Sequence, residues 1–263
     1  MAHIKERKHI RVTIMRQEGG EHLNDQEAEE AYSFDYVLIP GEQPTALDVL
    51  LRAKEEALPD LAFRYGCRNR RCGLCTIDIN GKPALACREQ VRDGDRLGPL
   101  KGLPLIRDLV VDRHGINALF WEKPRDHISQ NPWNPLTPGT VFQRLSGCIE
   151  CYACLEGCPL QEKNLRENRH QSTIPGLIED SIYPYGNPFR FLHLRRTMED
   201  NESGPEVHHK ALSIAINLGL ESCRTCLGCK CQMGISLVKY VIKPLLENSG
   251  VFILDRTKGS SEE

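Results

Sequence analysis

From His9 to Arg16 branched apolar residues alternate with polar ones, and the same period returns from Ser33 to Pro40, where Phe34, Tyr36 and Leu38 share a face. Two paired, half-buried strands are predicted, joined by the acidic, solvated stretch Glu18 to Ala31. The period then lengthens. Leu47, Leu50, Leu51 and Leu58 form a helical stripe, opened by Thr45 with Asp48 as a capping box and closed by Pro59. Period two comes back in Leu74 to Ile79 and in Leu85 to Cys87, on either side of an Asn80-Gly81 turn, which predicts a short hairpin. After residue 140 no strand pattern recurs. Pro205 with Val207, Ala211, Ile214, Ala215 and Leu218 gives a helix stopped at Gly219. Ser236 opens another through Leu237, Val238, Val241, Ile242 and Leu245, with Pro244 expected to kink or shorten it.

Between the two patterns, His114 to Thr140 carries Pro124, Pro132, Pro135 and Pro138 and reads as an ordered connector, with Trp121 and Trp133 as packing anchors. The predicted organisation is a first domain over 1–112, a connector over 113–140, a helical domain over 141–255 and a polar tail over 256–263.

Composition narrows the function classes. A net charge of −2 exerts no general pull on nucleic acid or anionic membrane. No run of eighteen apolar residues exists, and Met1 to Arg16 is charged where a secretion signal would be apolar. The expectation is a protein of the cytoplasm or of the cytoplasmic membrane face, without a transmembrane segment.

The chemistry lies in twelve cysteines that fall into three groups of four: Cys67-x4-Cys72-x2-Cys75-x11-Cys87, Cys148-x2-Cys151-x2-Cys154-x3-Cys158-Pro159, and Cys223-x2-Cys226-x2-Cys229-x-Cys231. Disulfide scaffolds are mostly small secreted domains, which this chain does not resemble. Zinc sites favour separated Cys-x2-Cys pairs, so zinc stays an alternative at the third group alone. The first spacing is that of a plant-type [2Fe–2S] site. Gly66 and Gly73 either admit the backbone close to such a cluster or serve only the turn. Arg64, Arg68, Arg70 and Arg71 form either a solvated face or a docking patch for an acidic partner. In the second group, Cys148, Cys151 and Cys154 suit one face of a cubane, while the cysteine before proline points onward to a neighbouring cluster. The fold class follows: α+β, with an N-terminal β-grasp [2Fe–2S] ferredoxin domain and a C-terminal all-α domain like a two-cluster ferredoxin.

The run Phe63-Arg64-Tyr65-Gly66-Cys67-Arg68-Asn69-Arg70-Arg71-Cys72-Gly73-Leu74-Cys75, followed by Ile79-Asn80-Gly81 and Leu85-Ala86-Cys87, resembles the iron–sulfur subunit of succinate dehydrogenase and fumarate reductase. Gly98 to Leu100 and Ile106 to Asp112 are similar to the stretch that leaves that family's first domain. The likeness runs from about residue 9 to residue 250 and is looser in the second half. It implies a [2Fe–2S] cluster on Cys67, Cys72, Cys75 and Cys87, and a [4Fe–4S] cluster on Cys148, Cys151, Cys154 and a cysteine of the last motif.

That last motif departs from the family's Cys-x5-Cys-x3-Cys-Pro. Cys223-x5-Cys229 fits its first part. Its end matches either Cys231, with two residues removed and Gln232 in place of proline, or Met233 with the spacing kept. Thioethers are poor cluster ligands, which favours Cys231. Cys226 stands where the family's [3Fe–4S] version has no thiolate. With it, Cys158, Cys223, Cys226 and Cys229 make four ligands, so a [4Fe–4S] cluster is favoured over [3Fe–4S]; the alternative is a free buried cysteine. The family's quinone-contacting groups are also unmatched, because Leu160, Gln161, Glu162 and Lys163 follow Pro159 and Arg224 follows Cys223. His208 and His209 are expected to be surface or core residues, not haem ligands.

By this resemblance the chain is the electron-transfer subunit of an oxidoreductase complex. Its partners are an FAD-containing flavoprotein docked at the [2Fe–2S] domain and a third subunit, either a membrane anchor or a cysteine-rich one like those of heterodisulfide reductases. The chain lacks a strand-borne G-x-G-x-x-G for a flavin of its own, and none of its residues is an acid, base or nucleophile. An alternative is an electron-transfer module for another soluble flavin oxidoreductase, heterodisulfide-reductase-like or hydroxy-acid-oxidising. A zinc-stapled scaffold is the non-redox alternative.

Overall fold

A computed structural model describes residues 8–17, 30–113, 116, 140–167, 183–200, 204–226 and 228–250. Most of the loop at 18–31, nearly all of the Pro-rich connector with both tryptophans, and the tail lie outside them. The chain divides into two compact units. One holds Met1–Asp112 together with Ile149–Glu156; the other holds Arg113–Cys148 and Gly157–Glu263.

The first unit is built on a five-stranded mixed sheet in the order β2-β1-β5-β3-β4, where β1 is His9–Arg16, β2 Glu30–Val37, β3 Thr76–Ile79, β4 Lys82–Leu85 and β5 Arg96–Gly98. β1 pairs antiparallel with β2 along its whole length, so Glu30 and Ala31, expected in the loop, lie opposite Arg16 and Met15 in the ladder. β1 pairs parallel with β5, and β3 pairs antiparallel with both β4 and β5. A separate ribbon joins β6 (Leu105–Arg107) to β7 (Val110–Val111).

Alternation decides the buried face. Val12 and Ile14 of β1 and Phe34 and Tyr36 of β2 are buried against α1 (Ala46–Glu56), which contributes Leu47, Val49 and Leu50. Leu38 and Leu51 pack at the edge of the same core. The Thr45–Asp48 capping box forms as predicted, satisfying two backbone donors at the helix start. Asp108, buried at the end of the ribbon, accepts from Arg16 Nε at 3.1 Å and from the Ala62 N–H at 2.9 Å. This pins the entry to the cysteine loop onto β1.

The second unit is helical: α2 (Val141–Ser146), α3 (Pro159–Arg166), α4 (Pro188–Met198), α5 (Pro205–Asn217) and α6 (237–250). α4 packs against α2, α5 and α6. It buries Phe189, Phe191, Leu192 and Leu194, while α5 and α6 contribute Ile214, Val241, Ile242 and Leu245. α4 was not legible as a stripe because apolar and basic residues alternate along it; it is buried over much of its surface. Pro244 does not end α6. A π turn over Val238–Ile242 precedes it and the helix runs on to 250. A proline ring clashes with the carbonyl four residues earlier in a regular helix, and the wider turn gives it room.

Candidate iron–sulfur sites

The first cysteine loop crosses 61–75 without regular structure between α1 and β3. Arg68, Arg70 and Gly73 hold φ of 53°, 54° and 63°. Left-handed residues alternating with ordinary ones turn successive N–H groups toward one side, forming a concavity for negative charge. The Asn69 and Arg71 N–H groups donate to Cys67 Sγ at 3.3 and 3.2 Å, and the Cys67 N–H donates to Cys72 Sγ at 3.4 Å. The first two of these bonds, that of Asn69 first, lower the Cys67 thiol to about 7. Cys75 enters β3 buried, and burial, with Cys87 beside it, pushes its thiol up to about 12. Cys87 returns just beyond β4, where the Ala86 N–H bonds the Cys75 carbonyl at 2.9 Å. The four cysteines of the first group lie in one unit, and backbone donors are aimed at the sulfurs of Cys67 and Cys72, the kind of contact that orients and tunes a thiolate ligand.

Of the arginines in this loop, Arg64 donates to the Val111 carbonyl at 3.0 Å and is partly buried, whereas Arg68, Arg70 and Arg71 are exposed. Arg68 lies over the Tyr65 ring, 5.2 Å from its centroid.

Part of the second motif belongs to the same unit. In Ile149–Glu156, Glu150 and Tyr152 are left-handed, with φ of 53° and 59°, and Cys151, Tyr152, Ala153 and Leu155 are buried. A Cβ placed on Gly73 would come within 2.3 Å of the Ile149 carbonyl oxygen and 2.9 Å of the Cys151 backbone. Gly73 is therefore required by close approach as well as by its positive φ.

In the helical unit, Cys158 precedes α3, and Cys223 lies in the short 3-10 turn Leu220–Arg224 after α5. Cys226 lies close enough to Cys158, Cys223 and Cys229 to act on each of their thiols. Burial is the largest influence raising the thiols of Cys158, of Cys223 (to about 12) and of Cys229 (to about 11), and each is raised further by its neighbours, Cys226 among them in every case. Thiols so crowded resist ionising together; a bound iron centre removes that penalty by taking up the charge. Cys231 is half-buried ahead of α6, where its sulfur accepts from the Met233 N–H at 3.3 Å and its carbonyl from the Gly234 N–H at 3.1 Å. Met233 contributes its backbone to this turn. Cys148 and Cys154 are half-buried. Arg224, in place of the family's histidine, is exposed and paired with Glu221. His208 is half-buried and His209 exposed on α5.

The sequence reading missed a set of fully buried polar residues, Gln161, Asn164, Asn187 and Arg190. The signal available was polar residues one helical turn apart at 161 and 164, immediately after a cysteine–proline pair.

A mixed sheet that carries a cysteine loop, together with a helical unit that carries further cysteines, defines an iron–sulfur protein of the α+β class. Residues 11–118 match the 2Fe-2S iron-sulfur cluster binding domain family. The chain is 30% identical to the iron-sulfur subunit 1 of mitochondrial succinate dehydrogenase [ubiquinone] from Oryza sativa subsp. japonica, over 75% of this chain and 69% of that protein. It is 36% identical to the fumarate reductase iron-sulfur subunit of Escherichia coli O6:H1 over 46% of this chain, and 32% identical to a subunit of the fumarate reductase (CoM/CoB) of Methanothermobacter marburgensis over 57%. The chain spans about half of the former relative's length, 54%, and 30% of the latter's. A chain of the Mycobacterium smegmatis Sdh1 complex in the apo form shares the fold, with a TM-score of 0.65 at 20% identity over 93% of this chain and 96% of that one. The chain belongs to the family of succinate dehydrogenase and fumarate reductase iron–sulfur subunits. Among the described residues no helix is long and apolar enough to cross a membrane.

Proposed function

We propose that the chain is a three-cluster conductor of single electrons in a complex of the succinate dehydrogenase or fumarate reductase type. A [2Fe–2S] cluster is assigned to Cys67, Cys72, Cys75 and Cys87, a [4Fe–4S] cluster to Cys148, Cys151, Cys154 and Cys231, and a second [4Fe–4S] cluster to Cys158, Cys223, Cys226 and Cys229. The architecture that goes with this is a β-grasp ferredoxin domain followed by a helical two-cluster domain. The single observation that carries the outer assignment is the proximity of those four cysteines within one unit, with Cys226 acting on the thiols of the other three. When bound, such clusters supply one-electron redox chemistry and no substrate site. The chain's own residues hold them, direct N–H groups at their sulfurs and exclude water from Cys75, Cys151 and Cys223.

The two-electron chemistry then lies on a flavoprotein partner that interconverts a dicarboxylate pair, docked at the [2Fe–2S] unit. Co-purification of a flavin-bearing subunit with succinate–dye activity is the expected result. Iron and sulfide analysis with EPR tests the cluster content: about ten irons per chain are expected for one binuclear and two cubane clusters. A [3Fe–4S] signal in freshly purified anaerobic protein counts against the outer assignment, and a colourless zinc protein against the whole reading.

A second reading concerns the partners. The altered third motif and the absent quinone-contacting groups favour a cysteine-rich third subunit over a quinone-reactive membrane anchor. Purification with a substrate-specific partner that lacks succinate activity would instead favour another soluble flavin oxidoreductase.

A further inference from the structure

Cys67 is exposed, whereas the other eleven cysteines are buried or half-buried. The first cysteine loop therefore brings a residue assigned to a cluster to the protein surface. Arg68, Arg70 and Arg71 are exposed on the same loop. The chain as a whole carries a net charge of −2, so three cations within four positions are a local excess.

Backbone and setting both distinguish this patch from an ordinary solvated face. Arg68 and Arg70 hold φ of 53° and 54°, a conformation that is unfavourable for a residue with a Cβ and costs glycine nothing. The Asn69 and Arg71 N–H groups that the turn directs at Cys67 Sγ belong to the main chain, and glycines at 68 and 70 would present them equally well. The turn does not need the two side chains. A strained position that nonetheless carries a long cation points to a use for the cation.

The Arg68 guanidinium lies over the Tyr65 ring, 5.2 Å from its centroid, and that ring is stacked on Phe63 at 5.6 Å. Tyr65 and Leu74 are nevertheless 42% and 39% exposed. The Leu74 side chain lies against Gly66, where an added Cβ would come within 3.0 Å of Leu74 Cδ1. Aromatic and apolar surface thus flanks Cys67 among the cations. A stacked ring and a guanidinium already held over it lose little side-chain freedom on binding, and tyrosine and arginine are the residues that protein interfaces favour at their anchors.

We propose that Tyr65, Leu74, Arg68, Arg70 and Arg71 form the docking surface for the flavin-bearing subunit, and that the partner meets it with an acidic face. Opposite charge steers and orients such an encounter, and docking here puts the partner at the exposed side of the cysteine loop. This rests on the [2Fe–2S] assignment and the flavoprotein partner proposed above.

The test is dilution of the anaerobically purified complex at several salt concentrations, with dissociation followed by mass photometry. Salt is expected to weaken the parent complex. Arg68→Glu/Arg71→Glu is expected to raise the dissociation constant about tenfold or more near about 0.05 M salt, with the gap closing toward about 1 M, where the screening length falls to about 3 Å. Its [2Fe–2S] EPR signal is expected to match the parent's. Lys82→Glu/Arg92→Glu makes the same charge change at exposed positions outside the cysteine loop and is expected to behave as the parent does. Dissociation equal to the parent's at every salt concentration overturns the docking surface, as does an equal effect of the Lys82/Arg92 pair. If the double reversal loses its [2Fe–2S] signal, Arg68→Gln/Arg71→Gln decides, since it removes only the charge: a flatter salt dependence supports the surface, and one like the parent's overturns it. A parent preparation with a [2Fe–2S] signal but no flavin-bearing subunit refutes the partner instead, and one without that signal refutes the cluster assignment.

Discussion

Gly73 of the first cysteine loop lies against the backbone of Cys151 from the second motif, so close that an added Cβ would come within 2.9 Å of the Cys151 Cα and 2.3 Å of the neighbouring Ile149 carbonyl oxygen. The Thr76 hydroxyl donates to the Gly73 carbonyl at 2.9 Å and keeps that peptide in place. The loop proposed to hold the [2Fe–2S] cluster and a cysteine proposed to hold the next one are therefore packed as one piece, although 78 positions separate residues 73 and 151 in the chain.

Gly73→Ala is expected to be severe. An L-residue at its φ of 63° costs about 1 kcal/mol, and the backbone clash must be relieved by moving the loop or Ile149. Loss of visible [2Fe–2S] absorbance and a lower Tm are the expected readouts. Gly81→Ala, at φ 78° with nothing within 4 Å of the added Cβ, carries only the conformational cost and is expected to retain its clusters.

Cys226→Ala distinguishes a fourth ligand from a bystander. With four thiolates at the outer site, its removal opens one iron corner; the variant is expected to lose about one iron per chain and to gain a [3Fe–4S] EPR signal on oxidation. Unchanged iron content and spectrum would make Cys226 a free thiol.

Cys231→Ser and Met233→Leu form a pair. The first is expected to abolish the middle cluster's EPR signal and to lower iron content. The second removes only a thioether whose residue already serves the turn through its N–H, and is expected to leave every cluster signal in place. The reverse pattern would transfer the ligand role to Met233.

His193 gives the helical unit an acid limb. Burial, with Arg196 nearby, lowers its imidazole from the usual 6.5 to about 3. The folded form keeps it neutral while the unfolded chain protonates it below about pH 6.5. Its contribution is thus fully present above that pH and is lost as pH falls toward about 3. The loss approaches about 1.4 kcal/mol per pH unit at most. His193→Leu is expected to flatten stability between about pH 6.5 and 4, as followed by denaturant midpoints with far-UV CD.

Much of the first unit was legible from local pattern. The alternation at 9–16, the Thr45–Asp48 capping box and the Asn80-Gly81 turn each have a mechanism that acts within a few residues, and each reappears in the fold. The helical unit was less so. α4 escaped notice because Arg190, on its buried face, is charged; its guanidinium donates to the carbonyls of Tyr183 and Tyr185, which helps make that placement tolerable. Pro244 was expected to kink or shorten α6 because a π turn leaves no mark in composition.

By itself, the sequence determined which atoms are available for chemistry: twelve thiols at loop spacings suited to clusters. Those facts depend on covalent spacing and short-range backbone geometry. The tertiary structure alone decided which of those thiols crowd one another, that Ile149–Glu156 packs with the N-terminal unit, and that Gln161 and Asn187 share a buried hydrogen bond. The physical reason is burial. The cost of leaving a thiol, an amide or a guanidinium without water depends on neighbours brought from distant parts of the chain, and no local pattern records who those neighbours are.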